Sequence, residues 1–178
     1  DLSPHNLFLG FDGTVKLGDF GVLHMDNIEG SSQGAIVTGK LGYLSPEQVG
    51  ADELDERSDL FSLMIILYEC VTGRRLFFSK GDEPESEVMK RIRAAEIPRP
   101  SRVIKDLPRA FESVLLKGLS ADRDQRYPSA MELIEALDPF LKVSAADCAK
   151  ELSQLLLRIY PDEHRKFERD QIHGLLPN

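Results

Sequence analysis

Ser58-Asp59-Leu60-Phe61-Ser62-Leu63-Met64-Ile65-Ile66-Leu67-Tyr68-Glu69-Cys70, running on to Gly73, is the stretch that decides the fold. It has the length of a helix, an N-cap signal ahead of it and a closing glycine, the residue that best tolerates the left-handed turn at a helix end. Its side chains are apolar on nearly every face, the pattern of a helix enclosed by protein rather than one lying on a surface. The run Leu60 to Tyr68 is well short of the ~20 residues that span a bilayer. The segment is therefore expected to be the central pillar of a soluble helical body.

Downstream of the pillar, amphipathic segments alternate with proline breaks. Val88, Ile92 and Ala95 share one face before Pro98-Arg99-Pro100, and Phe111, Val114, Leu115 and Leu119 share the next after Pro108. Ser129-Ala130-Met131-Glu132 reads as a capping box opening a helix that carries Leu133, Ile134, Leu137 and Leu141. Ser144-Ala145-Ala146-Asp147 opens a last helix with Leu152, Leu155, Leu156 and Ile159, ended by Pro161. The charged tail from Asp162 receives no assigned element.

Upstream, Pro46-Glu47-Gln48 opens a short helical piece, and the stretch from Gly21 to Gly42 shows little periodicity. A long loop of this kind is usually functional or mobile. At the N-terminal edge, Leu7-Phe8-Leu9 and Thr14-Val15-Lys16-Leu17 flank Asp12-Gly13, a strong hairpin signal. Paired strands lie ~5 Å apart, so the hairpin returns Asp19 toward Asn6. The fold class is thus mainly α with one small β-hairpin.

Composition narrows the function. The 178 residues carry 22 Lys+Arg against 30 Asp+Glu, a net charge of −8, with 42% hydrophobic residues. An acidic chain of pI ≈ 5.0 argues against nucleic acid or an anionic membrane as the main partner. Cys70 and Cys148 form neither a disulfide framework nor a metal cluster, and a reducing, cytoplasmic setting is expected. His5, His24, His164 and His173 do not cluster either.

Chemistry concentrates where the hairpin brings Asp1, Asn6 and Asp19 together. Each alone reads as a turn residue. Together their oxygen atoms suit a hard cation such as Mg²⁺, which is held by one or two carboxylates plus substrate phosphates.

Five motifs then carry a resemblance. Asp1-Leu2-Ser3-Pro4-His5-Asn6 resembles the catalytic loop of protein kinases, and Asp19-Phe20-Gly21 their metal-binding triplet. Ser45-Pro46-Glu47 resembles the end of the activation segment, Asp59 the Asp that starts the central helix, and Arg126 the late Arg that pairs with that Glu. The chain is similar to the C-terminal lobe of a bacterial Ser/Thr protein kinase, with wording around Asp1 and Lys40 most like myxobacterial members. The resemblance implies a kinase C-lobe over residues 1–141 and a helical extension and tail over 142–178. It also implies a missing N-lobe, so the chain is expected to be a fragment with little activity of its own.

What the resemblance implies for function is transfer of the ATP γ-phosphate to protein Ser/Thr hydroxyls in signalling. Asp1 would accept or orient the hydroxyl proton, and Asn6 and Asp19 would hold Mg²⁺. Phe8 would pack under the adenine, or be an ordinary core Phe. Glu47 and Arg126 would form an anchoring ion pair, or be unrelated surface charges. Asp59 would accept backbone N–H bonds from the catalytic loop, or be a plain N-cap. Thr38, Ser31 and Ser32 are candidate phosphorylation sites, or solvated hydroxyls. Competing readings are a non-catalytic kinase-like binding or scaffolding module and a small-molecule phosphotransferase, the latter disfavoured by Ser45-Pro46-Glu47 with Arg126.

Two departures from the family pattern belong together. Ser3 stands where the family usually has Lys, and Lys40 where it usually has Thr. Lys40 is expected to replace the missing amine beside Asp1 while Ser3 takes the hydroxyl's part; the alternative is a solvated loop lysine and weak activity.

Overall fold

Asp12-Gly13 turns the chain back on itself in the computed structural model, which describes residues 1–19 and 40–172. Strands β1 (Leu7–Leu9) and β2 (Val15–Leu17) pair antiparallel, with Leu7 opposite Leu17 and Leu9 opposite Val15. Gly13 supplies the positive φ of 82° that this turn needs. Among the described residues this is the only sheet, and helices make up most of the rest.

Helix α1 (Pro46–Gly50) is short and strongly capped. Ser45 Oγ accepts the Gln48 N–H while Gln48 Oε1 accepts the Ser45 N–H, and Pro46 occupies the first helical position. Helix α2 (Glu56–Thr72) is the expected pillar, stopped by Gly73 at φ 65°, whose N–H bonds the Glu69 carbonyl. Its cap is Asp55, whose side chain accepts the Arg57 N–H, so the cap lies ahead of Ser58-Asp59 and Asp59 sits inside the first turn. Phe61, Met64, Ile65 and Tyr68 are buried at helical spacing, whereas Asp59, Leu63 and Cys70 are exposed. The pillar is therefore enclosed on most of its faces and leaves one stripe open.

The helices around it follow the apolar periodicity, with three corrections. In α3 (Glu85–Arg93) Val88 and Ile92 are buried, but the face ends there. Ala95 lies past the helix in a left-handed turn at φ 42°, its N–H closing on the Ile92 carbonyl. In α4 (Arg109–Gly118) Leu115 is buried and Leu119 is buried at the cap. Helix α5 (Ala130–Leu137) is opened by Ser129, which accepts the Glu132 N–H. Pro139 has no N–H to extend the ladder, so a 3₁₀ turn at Asp138–Phe140 follows and Leu141 falls out of the helix, exposed. Ile134 points outward as well.

Helix α6 (Ala145–Ile159) is capped by Ser144, which accepts the Asp147 N–H. Pro161 does more than end it, because it also opens α7 (Pro161–Ile172). Proline at the first helical position, Asp162 and Glu163 in the first turn and Arg169 in the last all favour that helix. The charged tail is thus helical through Ile172.

The chain divides into two compact units that are not consecutive in sequence. Among the described residues, one contains 1–6 and 40–140 and the other 7–19 and 141–172. The first holds the hydrophobic core, in which α2 packs with α4 and residues of α3 and α5. Among the described residues no helix is long and apolar enough to cross a membrane.

Leu133 and Ile134 are neighbours on α5 yet 2% and 56% exposed. Leu133→Ala should cost about 2–5 kcal/mol through lost burial and a cavity, while Ile134→Ala should stay within about 0.5 kcal/mol. Urea unfolding of the two variants measures the difference.

Candidate functional site

The first six residues contain a tight turn that aims Asn6 back at Asp1. The Asn6 N–H bonds the Ser3 carbonyl at 3.0 Å, closing the 3₁₀ turn Pro4–Asn6. Buried Asn6 then donates from Nδ2 to the Asp1 carbonyl at 2.6 Å and to Asp1 Oδ2 at 3.4 Å. The terminal ammonium of Asp1 donates to exposed Asp59 Oδ1 at 3.3 Å, and Asp59, inside the first turn of α2, is not the helix cap.

Lys40 reaches the same carboxylate from the far side of the chain. It precedes the 3₁₀ turn Leu41–Tyr43, and its Nζ donates to Asp1 Oδ2 at 2.8 Å. Both side chains are mostly buried. A charge-assisted bond of that length, partly withdrawn from water, is stronger than a solvent-exposed pair. Lys40 is therefore not a solvated loop lysine. Ser3 is 1% exposed, and its Oγ has no hydrogen-bond partner among the described residues.

The turn that delivers Lys40 is itself held by a network the sequence reading missed. Tyr43 Oη donates to Glu69 Oε2 at 2.7 Å, and Glu69 Oε1 accepts the Leu76 N–H at 2.9 Å and Arg75 Nε at 3.3 Å. Burial first, and then the neighbouring Glu69, push the Tyr43 phenol well above its ordinary value of 10, so it remains a donor. Ser62 Oγ adds a bond to the Tyr43 carbonyl. A signal was available: Glu69 is the one charged residue between Leu60 and Gly73, and a lone charge in an apolar helix requires a partner.

Glu47 and Arg126 meet in a bidentate pair, Nη1 to Oε1 at 2.6 Å and Nη2 to Oε2 at 2.7 Å. The Arg126 side chain is 0% exposed, which excludes two unrelated surface charges. All five of its donors are used: Nε bonds the Ser120 carbonyl, Nη1 also bonds that of Arg57, and Nη2 that of Ala121. The guanidinium lies 4.6 Å over the Phe61 ring. Ser58 Oγ donates to Glu47 Oε1 at 2.7 Å, a third contact the motif did not disclose. Burial alone would raise the Glu47 carboxyl, but the bonds from Arg126 and Ser58 outweigh it and hold the pKa at about 2.

Phe8 and Asp19 belong to the second unit. Phe8 is 55% exposed, with its ring against Gly18, so it is not an ordinary core Phe. Asp19, two residues past β2, is held at φ 52°. A left-handed non-glycine residue carries strain that tends to be found at functional positions. Thr38, Ser31 and Ser32, with Phe20, Gly21, His24 and His173, lie outside the described residues.

Comparison with known proteins adds an independent finding. The model of the protein kinase domain matches residues 1–137. The tyrosine-protein kinase MasK of Myxococcus xanthus is 33% identical over 175 residues, 98% of this chain and 27% of the relative. Serine/threonine-protein kinase PknB of Mycolicibacterium smegmatis is 36% identical over 155 residues, 86% of this chain and 24% of the relative. PknB of Mycobacterium tuberculosis is 38% identical over 135 residues, 75% and 21%. The chain thus spans about a quarter of the length of these curated relatives.

Arg126→Met should cost about 3–5 kcal/mol at pH 7, because Glu47 is left buried and charged. That loss should be smaller at pH 4, where the unpaired carboxyl takes up a proton. In the unaltered protein the sign is opposite: a carboxyl lowered from 4.5 to about 2 contributes stability above pH 4.5 that is lost as pH falls toward 2. Urea unfolding across that window, with Glu47→Gln showing a shallower dependence, measures both.

Proposed function

Since the chain belongs to the protein kinase domain family, we propose that residues 1–141 are the C-lobe of a Ser/Thr kinase, with 142–178 a helical extension. The reaction is transfer of the ATP γ-phosphate to a protein hydroxyl. The observation that carries this reading is the Lys40–Asp1 contact of 2.8 Å, which joins one of the two residues that depart from the family pattern to the Asp that keeps it.

Asp1 is the residue that orients the substrate hydroxyl and accepts its proton. The Asn6 amide holds the Asp1 end of the loop, and the Lys40 ammonium bonds the carboxylate that acts as acceptor. Lys40 is also the cation available to the transferring phosphoryl group. A unit charge ~4 Å from a phosphate charge is worth about 4 kcal/mol at an effective dielectric of 20, or roughly three decades in rate. Ser3, a buried hydroxyl where an amine is usual, cannot supply that charge. Amine and hydroxyl have exchanged positions.

Asn6 and Asp19 offer amide and carboxylate oxygens, the donors Mg²⁺ takes, with no thiolate or imidazole among them; this donor chemistry fits the ion. Bound with ATP, Mg²⁺ neutralises phosphate charge. Exposed Phe8 offers an apolar surface for the adenine ring.

Acceptor identity divides the relatives, since MasK is named a tyrosine kinase and PknB a serine/threonine kinase. Pro4 after Ser3 supports Ser/Thr. Phosphoamino-acid analysis of the full-length product should give phosphoserine or phosphothreonine, and phosphotyrosine alone would contradict the assignment. In the same protein Lys40→Ala should lower transfer by about three decades, while Ser3→Lys with Lys40→Thr should retain it. Undiminished transfer by Lys40→Ala would overturn the exchange.

A further inference from the structure

The hairpin that carries Asp19 is too small to hold itself. Its strands have three residues each, and a lone two-stranded hairpin is marginally stable in water. Nor do its strand side chains bury: Phe8, Leu9, Val15 and Leu17 are all exposed. Order in the turn comes from the Gly10 N–H bonding the Thr14 carbonyl and from Asp12 Oδ1 accepting the Thr14 N–H and Oγ1–H. Those bonds shape the tip without fixing where it sits.

Position comes from α6 and α7, which share a unit with the hairpin. Ser153 Oγ donates to the Phe11 carbonyl at 2.7 Å across 142 residues of sequence. One helical turn earlier, the Ala149 carbonyl packs so closely on Gly13 that a Cβ there would collide with it. The Phe11 ring stands edge-on to His164 at 5.0 Å and tilted against Phe167 at 6.0 Å, two residues on one face of α7. The tip is thus gripped by backbone contact, hydrogen bond and aromatic packing from two helices.

We propose that α6 and α7 act as a brace that positions the β1–β2 hairpin, and through it Asp19, with Phe11 and Ser153 as the positioning residues. This rests on the reading of Asp19 as a ligand for the phosphate-bound metal. Strands of three residues make a lever of ~10 Å, so a tilt of about 6° at the tip moves the base by ~1 Å. Displacements of that size cost on the order of 10²-fold in rate. The helices downstream of the family match would therefore tune a residue inside it without touching substrate.

Hydrogen–deuterium exchange in the full-length protein reads the brace directly. Phe11→Ala should speed exchange of the amides of residues 7–19 by about tenfold and raise the Mg²⁺ concentration for half-maximal transfer by about tenfold. Phe11→Leu should recover most of both. Ser153→Ala, which removes one hydrogen bond and is compatible with the helix, should show the same effects more weakly and serves if Phe11→Ala does not fold. Unchanged hairpin exchange in Ser153→Ala and Phe11→Ala would overturn the brace. Faster exchange with an unaltered Mg²⁺ dependence would overturn its positioning role. A full-length protein that transfers no phosphate contradicts the kinase reading alone, because the exchange measurement tests the brace without it.

Discussion

A guanidinium sealed from water must have every N–H satisfied, and in this molecule that requirement organises the main helical unit. Arg126 bonds the Glu47 carboxylate and three carbonyls from the start of α2 and the loop after α4, over the Phe61 ring. A buried ion pair is not by itself a large gain in stability, since desolvation offsets most of the attraction. Its value is geometric. Five donors in a rigid fork admit one arrangement of α1, α2 and that loop, and any other leaves a buried charge unpaired.

From α1 the constraint passes back along the chain. The Ser45 capping box fixes the entry to α1, and Tyr43, tied to Glu69 and Ser62, fixes the turn before it. Lys40 begins that turn, so the reach of its ammonium to Asp1 is set by contacts several residues away. The Lys40–Asp1 pair is then a consequence of packing rather than a chance surface contact. A lysine on an unanchored loop would lose rotamer entropy on pairing and spend much of its time in water.

Much of this was readable in the sequence where local chemistry and spacing coincide. The α2 run, its closing Gly73 and the Asp12-Gly13 turn each announce themselves within a few residues. Glu47 and Arg126 were readable as partners only through motif order, since 79 residues separate them. What escaped depended on tertiary placement. Asp55 rather than Ser58 or Asp59 caps α2, a choice among nearby cap-forming residues that periodicity does not make. Helix α7 lacks an apolar stripe strong enough to announce it, although Pro161 and the charges around it fit its ends. The grouping of the hairpin with α6 and α7 rests on contacts such as Ser153 to Phe11, which no local pattern encodes.

The central claim is that Asp1, held between Asn6, Asp59 and Lys40, is the proton acceptor in phosphoryl transfer. Radiolabelled ATP with the full-length protein and its Asp1→Asn variant tests it most directly, the substitution keeping shape while removing the charge. The account predicts transfer by the unaltered protein and a fall of about three decades in the variant. Equal transfer by the two would contradict it.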